Sequence, residues 1–346
     1  MANLIFNFDG TCNDPEDVGH FSDDMSITNV LKLHAFFGGK LTPNNASNEN
    51  TPGQHSFYYS GVGTRGNWIW RIINSAIPSP YGEINDIIGE ADTDLEAHYK
   101  PGDKIYVFGF SRGAAIARIF AARCPVDIEF IGVFDTVAAT RGDLDLSSST
   151  LPASGIVFEN GSIAKHINRA LHLVALDEKR VPFQPTLFNK EPRISEVWFA
   201  GTHSDIGGNH WFDGLSDITL QFMLDAVASE LQVLTREQIS FESLAVASDQ
   251  DQICWDDLNI KPLVNGVIHD TSASGLHAHV RAPRFVRVNM NDWPSQNLPI
   301  IHHSVKQRFN TVTGYRPYAL RNREFLIMQA DGSVDKNAVC FGLADL

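Results

Sequence analysis

Ser111 stands in the run YVFGFSRGAAIARIF, between Gly109 and Gly113. The spacing is G-x-S-x-G, in which a serine at a sharp strand-to-helix turn presents its hydroxyl as a nucleophile. The glycines have a steric reason, because side chains two residues either side of so tight a turn would collide. The apolar run KIYVFGF precedes the serine, and an Ala-rich helical pattern follows with no room for a loop. A bare pentapeptide arises by chance, and Arg112 alone reads as a surface arginine at a helix start. The flanking strand and helix are what make Ser111 a candidate nucleophile.

A nucleophilic serine needs a base to take its proton and an acid to orient that base. In an open α/β sheet the working groups sit beyond the carboxyl ends of the strands. Asp135 follows the run IEFIGVF, and His203 and Asp205 follow SEVWFAG. Ser111, Asp135 and His203 then share one edge of the sheet in the order Ser…Asp…His found in α/β-hydrolases. Asp205 competes with Asp135 as the acid. His302, beside His303 in PIIHHSVKQRF, competes as the histidine. A metal reading of HSDIGGNH would use His203, Asp205 and His210 as ligands of a zinc-type ion. The glycines between them make a loop rather than an i, i+4 helical pair, so the serine reading is preferred and neither metal nor cofactor is assigned.

The opening FNFDGT poses a separate question. A phosphatase of the haloacid dehalogenase type attacks phosphorus with an aspartate at the strand end and uses a second aspartate two residues on. Here the first position is Asn7 and only Asp9 is present, and an amide cannot be that nucleophile. The turn suits another task. Acyl transfer needs two N–H donors aimed at the developing oxyanion. Arg112 supplies one, and the loop at Gly10 and Thr11 the other, with Asp9 bonding loop N–H groups.

These residues require a sheet to hold them. Runs at 3–8, 55–60, 104–110, 128–134 and 195–201 read as buried strands, mostly continuous rather than alternating, as in parallel sheets covered on both faces. SITNVLKLHAFF, GEINDIIGEADTDLEAHYK and GLSDITLQFMLDAVASEL have helical spacing. Residues 40–54 and 141–155 read as long loops. Beyond about 240 the periodicity weakens, and RFVRVNM and REFLIMQADGS suggest late strands. The expectation is an α/β fold of the α/β-hydrolase kind, with a mainly parallel central sheet, flanking helices and loop insertions. It is read as one domain over 1–346, with a core at about 3–225 and an extension at 226–346.

Composition limits the partners. The formal net charge of −14 excludes a general nucleic-acid binder and broad adhesion to anionic membranes. No stretch reaches the roughly 18 apolar residues of a membrane-spanning helix. MANLIFNFDGT lacks the basic start and long apolar run of a secretory leader, which predicts a cytoplasmic origin. Cys12, Cys124, Cys254 and Cys340 are scattered without metal-ligand spacing and predict free thiols in a reducing compartment. Trp68, Ile69 and Trp70 lie together beside two prolines, either as a lid meeting lipid or as core of a flanking helix.

The motifs FNFDGTCN, YYSGVGT, YKPGDKIYVFGFSRGAAIAR, IGVFDTVAA, ALDEKRVPF and VWFAGTHSDIGG followed by DGLSD jointly resemble the α/β-hydrolase domain of the type VI secretion lipase effectors of the first phospholipase class and their bacterial and fungal relatives. The likeness spans about residues 3 to 225. It implies serine esterase chemistry on phospholipids, with Ser111 as nucleophile, Asp135 in the F/W-D-T motif and His203 in the G-x-H-S-D motif. It also implies delivery to a target cell, with secretion-apparatus and immunity-protein partners. Cys12 stands where relatives often carry tryptophan, and the chain ends soon after the hydrolase core, where effectors often add a membrane-associating region. A soluble carboxylesterase on small esters would share every residue named. A non-catalytic binding protein on the same fold is the alternative from another class.

Overall fold

The computed structural model describes residues 1–10, 24–41, 51–61, 81–137, 161–245, 252–270 and 281–346. Thr11, Cys12, the Trp68–Trp70 cluster and the predicted loop 141–155 lie outside them. The strands are β1 (Asn3–Phe8), β2 (Met25–Thr28), β3 (Gln54–Tyr59), β4 (Lys104–Phe110), β5 (Phe130–Phe134), β6 (Ala170–Ala175) and β7 (Ile194–Phe199). They continue with β8 (Gly208–His210), β9 (Asn289–Met290), β10 (Trp293–Pro294), β11 (Ile300–His302), β12 (Glu324–Met328) and β13 (Cys340–Phe341). The helices are α1 (Asn29–Phe36), α2 (Tyr81–His98), α3 (Ser111–Arg123), α4 (His203–Gly207), α5 (Ser216–Val227), α6 (Trp255–Leu258) and α7 (His303–Thr311).

Nine strands form one sheet in the order β13-β12-β11-β7-β6-β5-β4-β1-β3. All neighbours run parallel except β13, which pairs antiparallel with β12 at the edge. β1 shows why both faces are covered. Ile5 lies in the buried cluster that also holds Val30 and Leu33 of α1 and Leu220 and Met223 of α5. Leu4 and Phe6, pointing the other way, pack with Ile87 and Leu95 of α2 and Phe120 of α3. This is the three-layer architecture of an α/β-hydrolase. Among the described residues no helix is long and apolar enough to cross a membrane.

Two differences from the sequence reading have local causes. The helix expected from Ser26 starts at Asn29, because Met25–Thr28 pair with β8 and Thr28 becomes the N-cap, its hydroxyl accepting from Leu31 N–H. Of RFVRVNM only Asn289–Met290 form a strand, since Arg284 and Arg287 turn inward to polar partners. The C-terminal stretch completes the same sheet through β11, β12 and β13. β6 was not expected, and it lies between the strands that end at Asp135 and near His203.

DGLSD acquires a physical role. The Lys32 ammonium of α1 is buried and meets Asp213 Oδ2 at 2.5 Å and Asp217 Oδ1 at 3.3 Å. Burial alone would lower its pKa, but the two carboxylates outweigh that and hold it above the ordinary lysine value. The pair ties α1 to the start of α5. Cys124, Cys254 and Cys340 are free thiols.

Candidate active site

The turn between β4 and α3 carries Ser111 at φ 58°, in the left-handed region that side chains rarely adopt. Crowding explains its glycines. A Cβ on Gly113 would lie 2.2 Å from Asp9 O and 2.3 Å from Phe8 O, and one on Gly109 2.7 Å from Ala114 Cα. Without those side chains α3 docks directly against the end of β1, and Ser111 is held where the sheet's carboxyl edge opens. α3 has no side-chain cap, so its first-turn N–H groups face the same edge.

Ser111 Oγ lies 2.8 Å from His203 Nε2, and His203 Nδ1 lies 2.5 Å from Asp135 Oδ2. Three strand ends supply them: β4 the serine, β5 the aspartate and β7, through Thr202 and the start of α4, the histidine. The His203 ring sits between Phe110 and Phe183, with centroids 4.7 Å and 5.0 Å away. Its backbone N–H donates to Glu178 Oε2 at 3.3 Å. Position and rotation of the imidazole are therefore both fixed.

Asp135 is fully buried, and each of its oxygens has two donors. Oδ1 accepts from Ala175 N–H at 2.9 Å and Arg284 Nη1 at 2.5 Å, while Oδ2 accepts from His203 and from Arg284 Nη2 at 2.8 Å. Burial alone would raise its pKa, but the Arg284 guanidinium and the His203 bond outweigh it and hold the carboxyl well below the usual range. Burial lowers the His203 pKa below its ordinary value despite Asp135. A neutral imidazole with an ionised carboxylate behind it and a hydroxyl in front can accept the serine proton.

The competing residues lie elsewhere. Asp205 Oδ2 accepts from Thr202 N–H and Oγ1, capping α4, and its Oδ1 meets His269 Nδ1 at 2.6 Å. His302 caps α7, bonds Ser304 Oγ at 2.8 Å and stacks on Phe199, and burial pushes its pKa down to about 3. His203, Asp205 and His210 do not converge on one point, because both ring nitrogens of His203 face Ser111 and Asp135. Gly10 N–H donates to Asp9 Oδ1 at 2.6 Å, and Asp9 Oδ2 accepts from the hydroxyls of Thr28 and Tyr58 at 2.6 Å each. Asp9 thus braces the turn after β1.

Arg284 was missed by the sequence reading, and no spacing signals it, since it meets Asp135 from 149 residues away. Glu178 and Asp177 lie in ALDEKRVPF, which resemblance marks without assigning roles. Burial would raise the Glu178 pKa, but bonding to Arg180 brings it down to about 2. Burial pushes Asp177 up to about 6 although it accepts from Gly201 N–H and the Tyr315 hydroxyl.

Fold and family together define an α/β-hydrolase. The family model described as "T6SS, Phospholipase effector Tle1-like, catalytic domain" matches residues 2–124 and 121–226, and the chain belongs to that family. The uncharacterized protein YEL023C of Saccharomyces cerevisiae is 32% identical over 132 residues, 34% of this chain and 17% of that protein. The crystal structure of an uncharacterized protein from Pseudomonas aeruginosa is 18% identical with a TM-score of 0.46, covering 76% of this chain and 49% of its own. The Tle1 effector bound to the VgrG spike of the type VI secretion system is 20% identical with a TM-score of 0.37, over 61% of this chain and 51% of its own. The chain spans about half the length of these two structures.

Proposed function

We infer that the protein is a serine esterase cleaving carboxylic esters of phospholipids, with Ser111 as nucleophile, His203 as base and Asp135 as the orienting acid. The observation that carries this reading is the continuous hydrogen-bonded path from Ser111 Oγ through His203 to Asp135 Oδ2. Ser111 Oγ attacks the ester carbonyl as its proton passes to His203 Nε2. The carbonyl oxygen, now negative, is held by N–H groups at the start of α3, Arg112 first among them. Collapse expels the alcohol, which takes the proton from His203, and leaves an acyl-serine. Water then attacks the acyl-serine, losing its proton to His203, and release of the acid restores the serine. Gly10 N–H joins as second donor once it exchanges Asp9 Oδ1 for the oxyanion.

Membership of a phospholipase effector family supports lipid over small esters and delivery by a type VI apparatus, with a spike protein of the VgrG kind as the carrier. The test needs no chosen substrate. A fluorophosphonate probe should add once to the wild type and not to Ser111→Ala or His203→Ala, read by intact mass. Phosphatidylethanolamine vesicles and a short-chain nitrophenyl ester then separate the two substrate classes. An adduct retained in Ser111→Ala, or none on folded wild type, would overturn the mechanism.

A further inference from the structure

Three contacts dock His269 onto the first turn of α4, the helix that begins with His203. His269 N–H donates to Asp205 Oδ2 at 3.2 Å, the Thr202 hydroxyl donates to His269 O at 2.9 Å, and His269 Nδ1 meets Asp205 Oδ1 at 2.6 Å. The other ring nitrogen, Nε2, lies 2.9 Å from Asp24 Oδ2, on the residue before β2. The imidazole therefore stands between two carboxylates, with its side chain 8% exposed and that of Asp205 1%.

A neutral imidazole carries one N–H and one lone pair. In either tautomer the lone pair would face a carboxylate oxygen at 2.9 Å or less, and a repulsive contact of that kind, largely closed to solvent, is costly. Only the imidazolium presents a proton to both. Its Nε2 contact is off the N–H axis, so it acts through charge rather than as an aligned hydrogen bond. His210 has the opposite arrangement. Its Nδ1–H donates to Asp24 O at 3.0 Å and its Nε2 accepts from the Ser204 hydroxyl at 2.9 Å, a complete set for a neutral ring. The two rings stack at 3.7 Å and 7°, an arrangement that two cations would oppose and a single cation does not.

We propose that His269 is a positioning residue for His203: an imidazolium that clamps Asp24 to Asp205 and so holds the start of α4 beyond the end of β7.

The link to the catalytic base is short. Asp205 Oδ2 accepts from the N–H and hydroxyl of Thr202, the residue before His203. On the other side Asp24 Oδ1 accepts from Phe212 N–H at 3.0 Å and Asp24 O from Trp211 N–H at 3.2 Å, which fixes Asp24 to the chain leaving β8. α4 has five residues, too few to stand without such contacts. Among the described residues no lysine or arginine lies within ion-pair distance of Asp24 or Asp205, so the clamp depends on His269. Asp177 and Tyr315 lie behind Asp205, with Arg308 near them, and Lys179 pairs with Asp270 at 2.8 Å beside the loop. Burial alone would lower the His269 pKa, but Asp205 and Asp24 outweigh it and hold it above the ordinary value of 6.5. Burial and the charge on His269 put His210 below that value.

A raised pKa stabilises the fold fully below the unfolded value of 6.5, and the contribution is lost as pH rises through the folded one. Asp177, pushed up to about 6, and the lowered His203 and His210 titrate below this range, and the buried Cys124 thiol above its ordinary 9.0. The interval from about pH 6.5 to about 8 therefore reports His269.

The test uses the full chain with three readouts: NMR titration of the histidine ring C–H groups, urea unfolding across that interval, and the rate of fluorophosphonate labelling at neutral pH. The His269 resonance, identified by its absence from His269→Gln or its displacement in Asp24→Asn, should titrate with a midpoint above 6.5. Asp24→Asn, which tolerates the left-handed backbone there, should lower that midpoint. Wild-type stability should fall across the interval while that of His269→Gln stays level. His269→Gln should label roughly 3–10-fold more slowly than wild type, well short of the loss in His203→Ala, because a displaced base costs less than an absent one. The labelling readout rests on the serine esterase reading, and the titration does not. A midpoint at or below 6.5, or one that Asp24→Asn leaves unmoved, would overturn the clamp. Normal labelling of wild type with an equal rate in His269→Gln would overturn the positioning role alone. No label on folded wild type would overturn the triad and the positioning role with it, while the wild-type midpoint still decides the clamp.

Discussion

Arg284 grips Asp135 with two parallel bonds, Nη1 to Oδ1 and Nη2 to Oδ2, and both side chains are closed to solvent. The aspartate behind His203 is therefore kept ionised by a cation as well as by the imidazole. Arg284 also donates to Ala175 O and Phe183 O, so it locks β6 to the loop that flanks the histidine ring.

Arg284→Met leaves a buried carboxylate without its counter-charge and should cost about 3–5 kcal/mol of stability. Urea unfolding checks this. Arg284→Lys restores the charge but not the fork, so it should recover stability in part while activity stays below wild type. Activity equal to wild type in both variants would remove Arg284 as a positioning residue.

The two aspartates are separable by amide substitution. Asp135→Asn should lower kcat by about 10⁴ by disturbing the tautomer that His203 needs. Asp205→Asn should leave kcat within about an order of magnitude of wild type and cost about 1 kcal/mol through the α4 cap. Steady-state hydrolysis of a soluble ester decides between them, and the reverse ranking would exchange their roles.

Activity should follow the neutral form of His203. Burial places its pKa below 6.5, so kcat/KM should hold steady through neutrality and fall only as pH drops below that value. A pH profile whose acid limb has its midpoint at 7 or above would contradict an unprotonated base held by burial.

Stability should depend on pH through two neighbours with opposite signs. Glu178, brought down to about 2 in the fold, stabilises above its unfolded value of 4.5, and that contribution disappears as pH falls toward 2. Asp177, pushed up to about 6, does the reverse: its proton is held more tightly in the fold, so stability declines as pH rises from about 4 to 6. The second effect is at most about 3 kcal/mol. Asp177→Asn should flatten that decline in urea titrations across the range, and an unchanged slope would mean Asp177 titrates normally.

Gly113→Ala should be severely destabilising, because its Cβ would enter the backbone of β1. Gly89→Ala, with nothing within 4 Å on α2, should stabilise by about 0.5–1 kcal/mol. Thermal unfolding of the pair checks both signs.

What could be read beforehand was what is local. The turn at Ser111 is written in five adjacent residues, and the strands before Ser111, Asp135 and His203 are continuous apolar runs, so the parallel sheet and the edge where those residues gather were legible. β6, ALHLVA, was not, because His172 interrupts its apolar run. That histidine is buried, accepting from Thr136 N–H and bonding Glu196 Oε2, which makes it a strand residue only once its neighbours are in place. Arg284 and His269 escaped for the same reason, since their partners are far away in sequence. The two-residue β9 and three-residue β11 are too short for any period to register and exist through pairing alone.

Ser111, His203 and Asp135 meet only when the ends of β4, β5 and β7 are in register, and Ser111 is 92 residues from the histidine it bonds. Its left-handed backbone is imposed by α3 wedged against β1, a geometry the unfolded chain has no cause to keep. On the proposed mechanism, reactivity is thus a property of the finished tertiary structure. A newly made or partly unfolded chain would then carry an ordinary, inert serine, so covalent labelling of Ser111, where the fluorophosphonate test succeeds, would serve as a census of native molecules, and the rate of label uptake after dilution from denaturant would time the last step of folding.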